Sequence, residues 1–459
     1  MDTLTLRSND QNHILHSLHD SAAQSACRVW VQGRNATLRD ADGNEYLDAL
    51  SSLWNVFVGH GRRELAEAAS RQIQTLEYMS GYAGHTCLPA IELAERLGRM
   101  CYPSVQSFFF TSGGAESNES AFKTARYFWK VQGFPEKTKI ISRHSAYHGT
   151  TLAAMSATGL QSYWPMFEPR VAGFLHIAPP YSYWQDSLIP HIDGDKSLSF
   201  GIRAANELEK IILHEGPDTV AAFIAEPVQG AGGVIVPPDD YFPRIREICD
   251  RYNLLFIADE VITGFGRTGR LFGLEHWSVS PDILTFAKAI TSGYIPLGGM
   301  GVNGRVADAI RSGSGSSKWM HAYTYSGHPT ACAVAIANLD IVEREGLVAR
   351  AGDLGSKLLA GLKPLESHPH VGEVRGMGLM AAVELVESKS PQKRFDAAQG
   401  VGARVLAEMA RRGVITRIVG DVILLAPPAV MTAVQIDRVA RVVGDSVFDL
   451  FSRGVAATS

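Results

Sequence analysis

An α/β fold with a mostly parallel sheet and a second, α+β-type domain is predicted by three features of the sequence. From Ser107 onward, short apolar runs bounded by turn residues alternate with helix-patterned stretches. Two of these runs, Leu254-Leu255-Phe256-Ile257-Ala258 and Ile283-Leu284-Thr285-Phe286-Ala287, lack the polar alternation of a half-exposed strand, as central parallel strands do. They empty into Asp259-Glu260 and Lys288. That sets a carboxylate and an amine side by side at the carboxyl edge of one sheet, the edge where open α/β folds bind ligands.

Taken in order, residues 1 to about 25 carry no sustained apolar period and read as an arm. Arg28–Gly33, Ala36–Arg39 and Glu45–Leu47 form a small antiparallel meander, with Asp42-Gly43 as a tight-turn signal. The stretch Leu53-Trp54-Asn55-Val56-Phe57-Val58 is aromatic and glycine-flanked, and helical patterning follows from Glu64 to Glu77. Phe108-Phe109-Phe110 leads through Thr111-Ser112-Gly113-Gly114-Ala115-Glu116 into a helix from Ser117 to Lys130. Lys139–Ser142 leads into Ala146-Tyr147-His148-Gly149, and Val220–Ala225 into Glu226-Pro227. The aromatic, proline-containing stretch from Ala178 to Leu198 reads as a surface excursion, and Gly313–Ser317 as a flexible loop. After about residue 330 come a long helical stretch, strands around Val371–Leu385 and Val422–Leu425, and further helices.

Composition narrows the function classes. A chain of 459 residues suits a two-domain enzyme. A net charge of -4 with both signs interspersed leaves no nucleic-acid or anionic-membrane footprint. No apolar run is long enough to span a bilayer, and the polar N-terminus lacks the apolar core of a signal peptide. The five cysteines are odd in number, scattered and without CxxC spacing, so they read as reduced thiols, and a cytoplasmic location is expected. No cluster of His, Cys and carboxylates has ligand spacing, so no metal is expected.

The chemistry gathers at the strand ends. Thr111–Ala115 lies between a strand and a helix, where backbone N–H groups and a helix N-terminus can hold an anion; taken alone it reads first as an ordinary strand-to-helix turn. Tyr147 can stack on a planar ring, or serve as a half-buried core tyrosine. A charged amine closing an apolar run, as Lys288 does, is costly without a task. Desolvation lowers its pKa and makes it a nucleophile that can form a Schiff base. A carboxylate beside a pyridinium nitrogen raises that nitrogen's pKa by ~1–3 units, creating an electron sink. Lysine, carboxylate, phosphate cradle and ring clamp together point to pyridoxal phosphate. One motif competes: Gly264-Phe265-Gly266-Arg267-Thr268-Gly269 fits GxGxxG. It lies in mid-domain, follows Asp259-Glu260 and precedes no clear amphipathic helix, which argues against NAD.

Together these stretches resemble the class III pyridoxal-phosphate aminotransferases of fold type I, from about Arg28 to Pro428. The most specific match is Phe256-Ile257-Ala258-Asp259-Glu260-Val261 through Gly264 and Gly269, then Asp282 to Lys288 and Ser292-Gly293. The resemblance implies a large domain on a mostly parallel seven-stranded sheet and a smaller α+β domain built from N- and C-terminal segments. The expected division is an arm with small-domain strands at 1–50, the large domain at 51–328, and the rest of the small domain at 329–459. Lys288 would bond the cofactor and then shuttle the proton between substrate and cofactor. Asp259 would pair with the pyridine nitrogen, Tyr147 and Val261 would sandwich the ring, and His148 and Glu226 would belong to the cofactor pocket. Gly113, Gly114 and Ala115 would bind the phosphate, Ala115 lacking the serine hydroxyl that relatives often have. Thr324 matches a threonine that reaches the phosphate from the partner subunit, which implies a homodimer with shared active sites and leaves a tetramer open.

For substrate, Glu226-Pro227-Val228-Gln229-Gly230 is followed by Ala231, where relatives that use 2-oxoglutarate commonly carry glutamate. The departure resembles the ω-amino acid or amine:pyruvate branch, in which Arg417 would clamp the acceptor carboxylate and swing away for apolar amines. Trp54 would form an aromatic wall of that pocket and Tyr82 another, although Trp54 is equally a core residue. The expected activity is a ping-pong transamination from an ω-amino acid or primary amine to pyruvate, giving an aldehyde or ketone and alanine. The alternatives are a 2-oxoglutarate-dependent aminotransferase, an aminomutase or a decarboxylase on the same scaffold, and more remotely an NAD oxidoreductase or a non-catalytic binding protein. Taurine, β-alanine, putrescine, longer ω-amino acids and aryl-alkyl amines all fit as donors.

Overall fold

The computed structural model describes residues 2–25, 27–82, 84–185, 192 and 197–452. The strands, in chain order, begin with β1 (Trp30–Arg34), β2 (Thr37–Asp40) and β3 (Glu45–Asp48). These are the predicted meander, and Gly43 takes φ 88° in the β2–β3 turn, a conformation glycine adopts without strain. Next come β4 (Val105–Thr111), β5 (Lys139–Arg143), β6 (Phe174–Ile177), β7 (Val220–Ala225), β8 (Leu255–Asp259), β9 (Ile283–Phe286) and β10 (Gly298–Asn303). They form one seven-stranded sheet in the order β4-β10-β9-β8-β7-β5-β6. β10 runs antiparallel to both its neighbours, and the other adjacent pairs are parallel.

The C-terminal strands are β11 (Val371–Gly376), β12 (Ala381–Leu385), a hairpin of β13 (Ser388–Lys389) and β14 (Gln392–Lys393), then β15 (Val414–Ile415), β16 (Arg417–Val419) and β17 (Val422–Leu425). A four-stranded sheet has the order β11-β12-β17-β16, while β15 pairs in parallel with β3, Val414 opposite Leu47. Segments from the two ends of the chain therefore share one sheet.

The uninterrupted apolar character of β7, β8 and β9 reflects burial on both faces, every residue of the three being buried. The ring of Phe256 packs against those of Phe223 and Phe242, 6.0 Å from each centroid. Burying each such ring is worth about 1.5–3 kcal/mol.

Three local expectations change, and the rejection of the glycine-rich motif as a nucleotide loop stands. The helix after β4 spans Gly114–Val131, beginning three residues before Ser117, because the chain turns directly at the extended Gly113. The N-terminal arm contains a helix, Thr3–His13, capped by Asp2; it has no buried side chain, which is why no apolar period marks it. In the stretch from Ala178 to Leu198, Tyr181 and Trp184 are buried rather than on the surface, and 186–191 and 193–196 lie outside the described residues. The glycine-rich motif is a buried turn with Gly266 at φ 112° and Gly269 at φ 83°, followed by a short 3-10 turn instead of a nucleotide-binding helix. No described helix is long and apolar enough to cross a membrane.

Candidate active site

Parallel pairing of β8 and β9 sets Asp259 opposite Thr285, so the chain brings Lys288 up beside the carboxylate three residues later. Lys288 takes φ 51°, a left-handed conformation that turns the chain out of the strand and into a 3-10 turn. Both residues line a cavity of about 360 Å³ at the carboxyl ends of the strands. Burial holds the Lys288 amine below its ordinary pKa, against the pull of Asp259 and then Glu226 in the other direction. A larger fraction of the amine is then neutral and nucleophilic.

Asp259 is held from several sides. Its Oδ2 accepts from Asn118 Nδ2 at 2.8 Å and from His148 Nδ1 at 2.7 Å, and its Oδ1 accepts from the Val261 N–H at 3.1 Å. Asn118, from the second turn of the Gly114–Val131 helix, also donates to His148 O at 2.8 Å and accepts from Thr285 Oγ1 at 2.8 Å. Thr285, Asn118, Asp259 and His148 thus form one hydrogen-bonded chain, buried throughout. Glu226 closes the far side, accepting from the N–H groups of Tyr147 at 3.0 Å and Gly230 at 2.9 Å. Burial raises the pKa of its carboxyl, while the charge of His148 opposes the rise.

An anion cradle lies opposite. The Gly114–Val131 helix starts at the cavity, where its first N–H groups have no preceding turn to bond and its dipole is positive. A Cβ on Gly113 would meet nothing within 4 Å, whereas one on Gly114 would stand 2.9 Å from Val261 Cγ1. At Gly149, φ is 124° and a Cβ would lie 2.6 Å from Ala115 Cβ, so only glycine lets this loop close on the first helical turn. Tyr147 lines the cavity with its ring 5.8 Å from that of Tyr163. Burial raises its pKa first, Tyr163 adds to this, and the charge of Arg417 opposes it.

The structure brings Gly113, Gly114, Ala115, Tyr147, His148, Glu226, Asp259, Val261 and Lys288 to this one cavity. It does not bring Trp54, Tyr82, Ala231, Thr324 or Arg417 into its lining. Trp54 is buried, with φ 69°, and its carbonyl accepts from Arg267 Nη2 at 3.4 Å. Tyr82 and Thr324 are exposed, and Thr324 O accepts from Tyr78 OH at 2.7 Å. Arg417 is exposed on β16. Sequence reasoning missed Asn118, Thr285 and Asn55. Only Asn118 had a local signal, as one of the polar residues Ser117, Asn118, Ser120 and Thr124 on the buried side of its helix.

The glycine-rich motif has another job. Glu260 points away from the cavity and accepts from Tyr102 OH, Thr263 Oγ1, Gly273 N at 2.8 Å and Leu274 N at 3.1 Å. The loop is folded onto this carboxylate. Arg267, in the middle of the motif, is fully buried and donates to the carbonyls of Ala426 at 3.2 Å and Pro427 at 2.7 Å. Burial lowers its pKa to about 9, with Asp48 opposing. The motif binds protein, and among the described residues no group of three or more His, Cys, Asp or Glu could hold a metal ion.

On a mostly parallel sheet, a buried lysine of lowered pKa, a braced carboxylate and a helix N-terminus around one cavity define an enzyme that holds a planar ring with an anionic arm. A family model described as Aminotransferase class-III matches residues 19–446, and the chain belongs to that family. It is 40% identical over 417 residues to a putrescine–pyruvate aminotransferase of Pseudomonas aeruginosa, covering 90% of this chain and 89% of that one. It is 39% identical over 416 residues to a diaminobutyrate–2-oxoglutarate transaminase of Halomonas elongata, covering 90% and 88%. The fold matches the crystal structure of a thermostable (S)-enantioselective omega-transaminase from Thermomicrobium roseum with TM-score 0.93 and 46% identity, over 98% of this chain and 99% of that one. The cofactor is pyridoxal phosphate. The residues present fit it: an amine in the cavity, a buried carboxylate for a ring nitrogen, and a glycine-lined helix start for a phosphate.

Proposed function

We propose that the chain transfers an amino group from an ω-amino acid or primary amine to pyruvate by a ping-pong cycle, releasing an aldehyde or ketone and then alanine. The observation that carries this reading is Arg417. Its charge reaches Tyr147 on the cavity wall, yet it forms no ion pair with any described residue. An exposed guanidinium without a carboxylate partner suits a substrate carboxylate, which its planar fork takes bidentately. Ala231 brings no competing acid after Gln229-Gly230. The name of the Pseudomonas relative includes pyruvate and that of the Halomonas relative 2-oxoglutarate, so the acceptor is the point to test.

Bound pyridoxal phosphate supplies an electron sink that labilises a C–H bond on the substrate. The chain's residues do the rest. Lys288 Nζ, its pKa lowered by burial, takes and returns the proton. Asp259, fixed by Asn118, His148 and Val261, would keep a proton on the nitrogen of a bound pyridine ring. Tyr147 and Val261 would hold the ring, and the first turn at Gly114 and Ala115 would hold the phosphate. Thr324 lies outside the cavity of its own chain, and we read it as completing the phosphate site of a second copy in a homodimer. Exposed Leu88, Ile91 and Met320 supply apolar surface for such a contact.

The test is a pair of half-reactions on the holoenzyme. A panel of amines is added while the visible absorbance of the cofactor is followed, and pyruvate or 2-oxoglutarate is then used to restore it. Restoration by pyruvate with stoichiometric alanine is expected; restoration by 2-oxoglutarate alone would overturn the acceptor assignment. Sedimentation of the same preparation at dimer mass is expected, and a monomer with full activity would remove Thr324 from the site.

A further inference from the structure

A single transverse row crosses the C-terminal sheet. Arg375 on β11 stands opposite Ala382 on β12, Ala382 opposite Leu424 on β17, and Leu424 opposite Arg417 on β16. Directly opposed residues in antiparallel ladders share a face, so the two arginines point to the same side, three strand spacings or about 14 Å apart. That face rests on residues 230–235. A Cβ on Gly233 would stand 3.2 Å from Arg375 Nη2, 3.8 Å from Val422 Cγ1 and 3.9 Å from Val419 Cγ1.

Arg375 grips this segment. Its Nη2 donates to Gly233 O at 2.6 Å, and its Nε to Gly233 O at 3.0 Å and Val234 O at 3.2 Å. The guanidinium also pairs with Glu373 and Glu384, both at 2.9 Å, and lies 4.6 Å from the centre of the Tyr181 ring. Glu384 is almost fully buried and accepts in turn from Tyr181 OH and from Trp184 Nε1 at 2.9 Å. On its other side the segment touches the cavity wall. Gly230 N donates to Glu226 Oε2 at 2.9 Å, and a Cβ on Gly230 would lie 2.5 Å from Cδ1 of the cavity residue Ile262. One edge of the sheet is thus bolted to the cavity wall, and the other edge carries the unpaired arginine.

We propose that Arg375 is a positioning residue for the acceptor: with Glu384 and Tyr181 it fixes the sheet against residues 230–234 and so sets the distance from Arg417 to the cavity. This rests on the reading of Arg417 as the clamp for the acceptor carboxylate. A merely structural Arg375 would lower thermal stability alone. A positioning Arg375 acts selectively, weakening acceptors that carry a carboxylate and sparing those that do not.

The experiment uses the holoenzymes of Arg375→Lys and Tyr181→Phe, with pyruvate and with butanal, which has no carboxylate, as acceptors. Arg375→Lys is expected to raise KM for pyruvate about tenfold and Tyr181→Phe less, with the butanal and amine half-reactions within about twofold of wild type. In an Arg417→Ala background the Arg375 and Tyr181 substitutions should add nothing. An unchanged pyruvate KM, equal losses for pyruvate and butanal, or full additivity with Arg417→Ala would overturn the inference. Tyr181→Phe deletes one hydroxyl and carries the same test should Arg375→Lys not fold. If Arg417→Ala alone leaves pyruvate KM unchanged, the clamp reading falls and the positioning role with it. If Arg417→Ala raises KM while the other two do not, only the inference falls.

Discussion

Replacing Asn118 with alanine removes the middle of the chain that ends on Asp259. Three bonds of 2.8 Å go with it: one to an acidic acceptor, Asp259 Oδ2, and two neutral ones, to His148 O and from Thr285 Oγ1. A bond to a charged group is worth about 1.5–3 kcal/mol and a neutral one about 0.5–1.5 kcal/mol, which puts the total near 2.5–6 kcal/mol. Thr285→Val, nearly isosteric, removes only one neutral bond. At about 2.1 cal/mol/K of unfolding entropy per residue, a chain of this length loses about 1 °C of melting temperature per kcal/mol. Calorimetry of the apoenzymes should therefore show Asn118→Ala melting about 3–6 °C below wild type and Thr285→Val about 1 °C below. Thr285→Val added to Asn118→Ala should cost nothing further, because its partner is already gone. An Asn118→Ala enzyme within about 1 °C of wild type, or strict additivity of the two substitutions, would show that these groups are not coupled and that Asp259 is braced by other means.

Three further outcomes are expected. Because burial lowers the Lys288 pKa, the rate of cofactor attachment to apoenzyme, read as borohydride-trapped adduct mass, should rise with pH and level off below 10.5, the ordinary value. The same shift means the unfolded chain binds more protons between the lowered pKa and 10.5, so Lys288 makes apoenzyme stability rise with pH across that window; Lys288→Ala should lose both the adduct and this rise. Asp259→Asn should keep the fold and the attached cofactor but slow turnover about 10–1000-fold, the equivalent of ~1–3 pKa units at the ring nitrogen, and near-wild-type turnover would contradict the electron-sink role. Gly149→Ala forces a side chain at φ 124° into Ala115, at a backbone cost of roughly 1–2 kcal/mol. Cofactor should then leave faster on dialysis, and unchanged retention would dissociate that loop from the phosphate cradle.

The parts of the site legible in the sequence are those written in short local patterns. Apolar runs ending in Asp259 and Lys288 announced two buried strands and their charged ends, and register then placed the two side by side. β10 was illegible because Gly298-Gly299-Met300-Gly301 looks like a loop, whereas its glycines are demanded by neighbours. A Cβ on Gly299 would collide with Phe286, and one on Gly301 would come within 2.6 Å of Val105 and 2.8 Å of Phe108. Asn118 and Thr285 meet across 167 positions of sequence, and Arg375 and Gly233 across 142, distances over which no periodicity carries information. Trp54 shows a different limit, since an aromatic residue in a glycine-flanked stretch has the same sequence signature in a core as beside a pocket.

The opposed orientation of Asp259 and Glu260 makes this strand end vulnerable to a fault that composition would conceal. Loss of one residue within 254–258 would carry glutamate into the cavity position with Val261 behind it, and gain of one would carry aspartate to the position facing Tyr102 and Thr263 with Ala258 left at the cavity. Either way only one of the two positions would still hold an acid, and its reach would be wrong by one methylene. At the ring nitrogen a misplacement of about 1 Å is enough to cost about 100-fold in rate. Behind the strand, the shorter acid would no longer gather Gly273 and Leu274, and the glycine turn would lose its anchor. Single-residue insertions and deletions should therefore be tolerated far less here than in the exposed loop 313–317, even where every named side chain survives in the sequence.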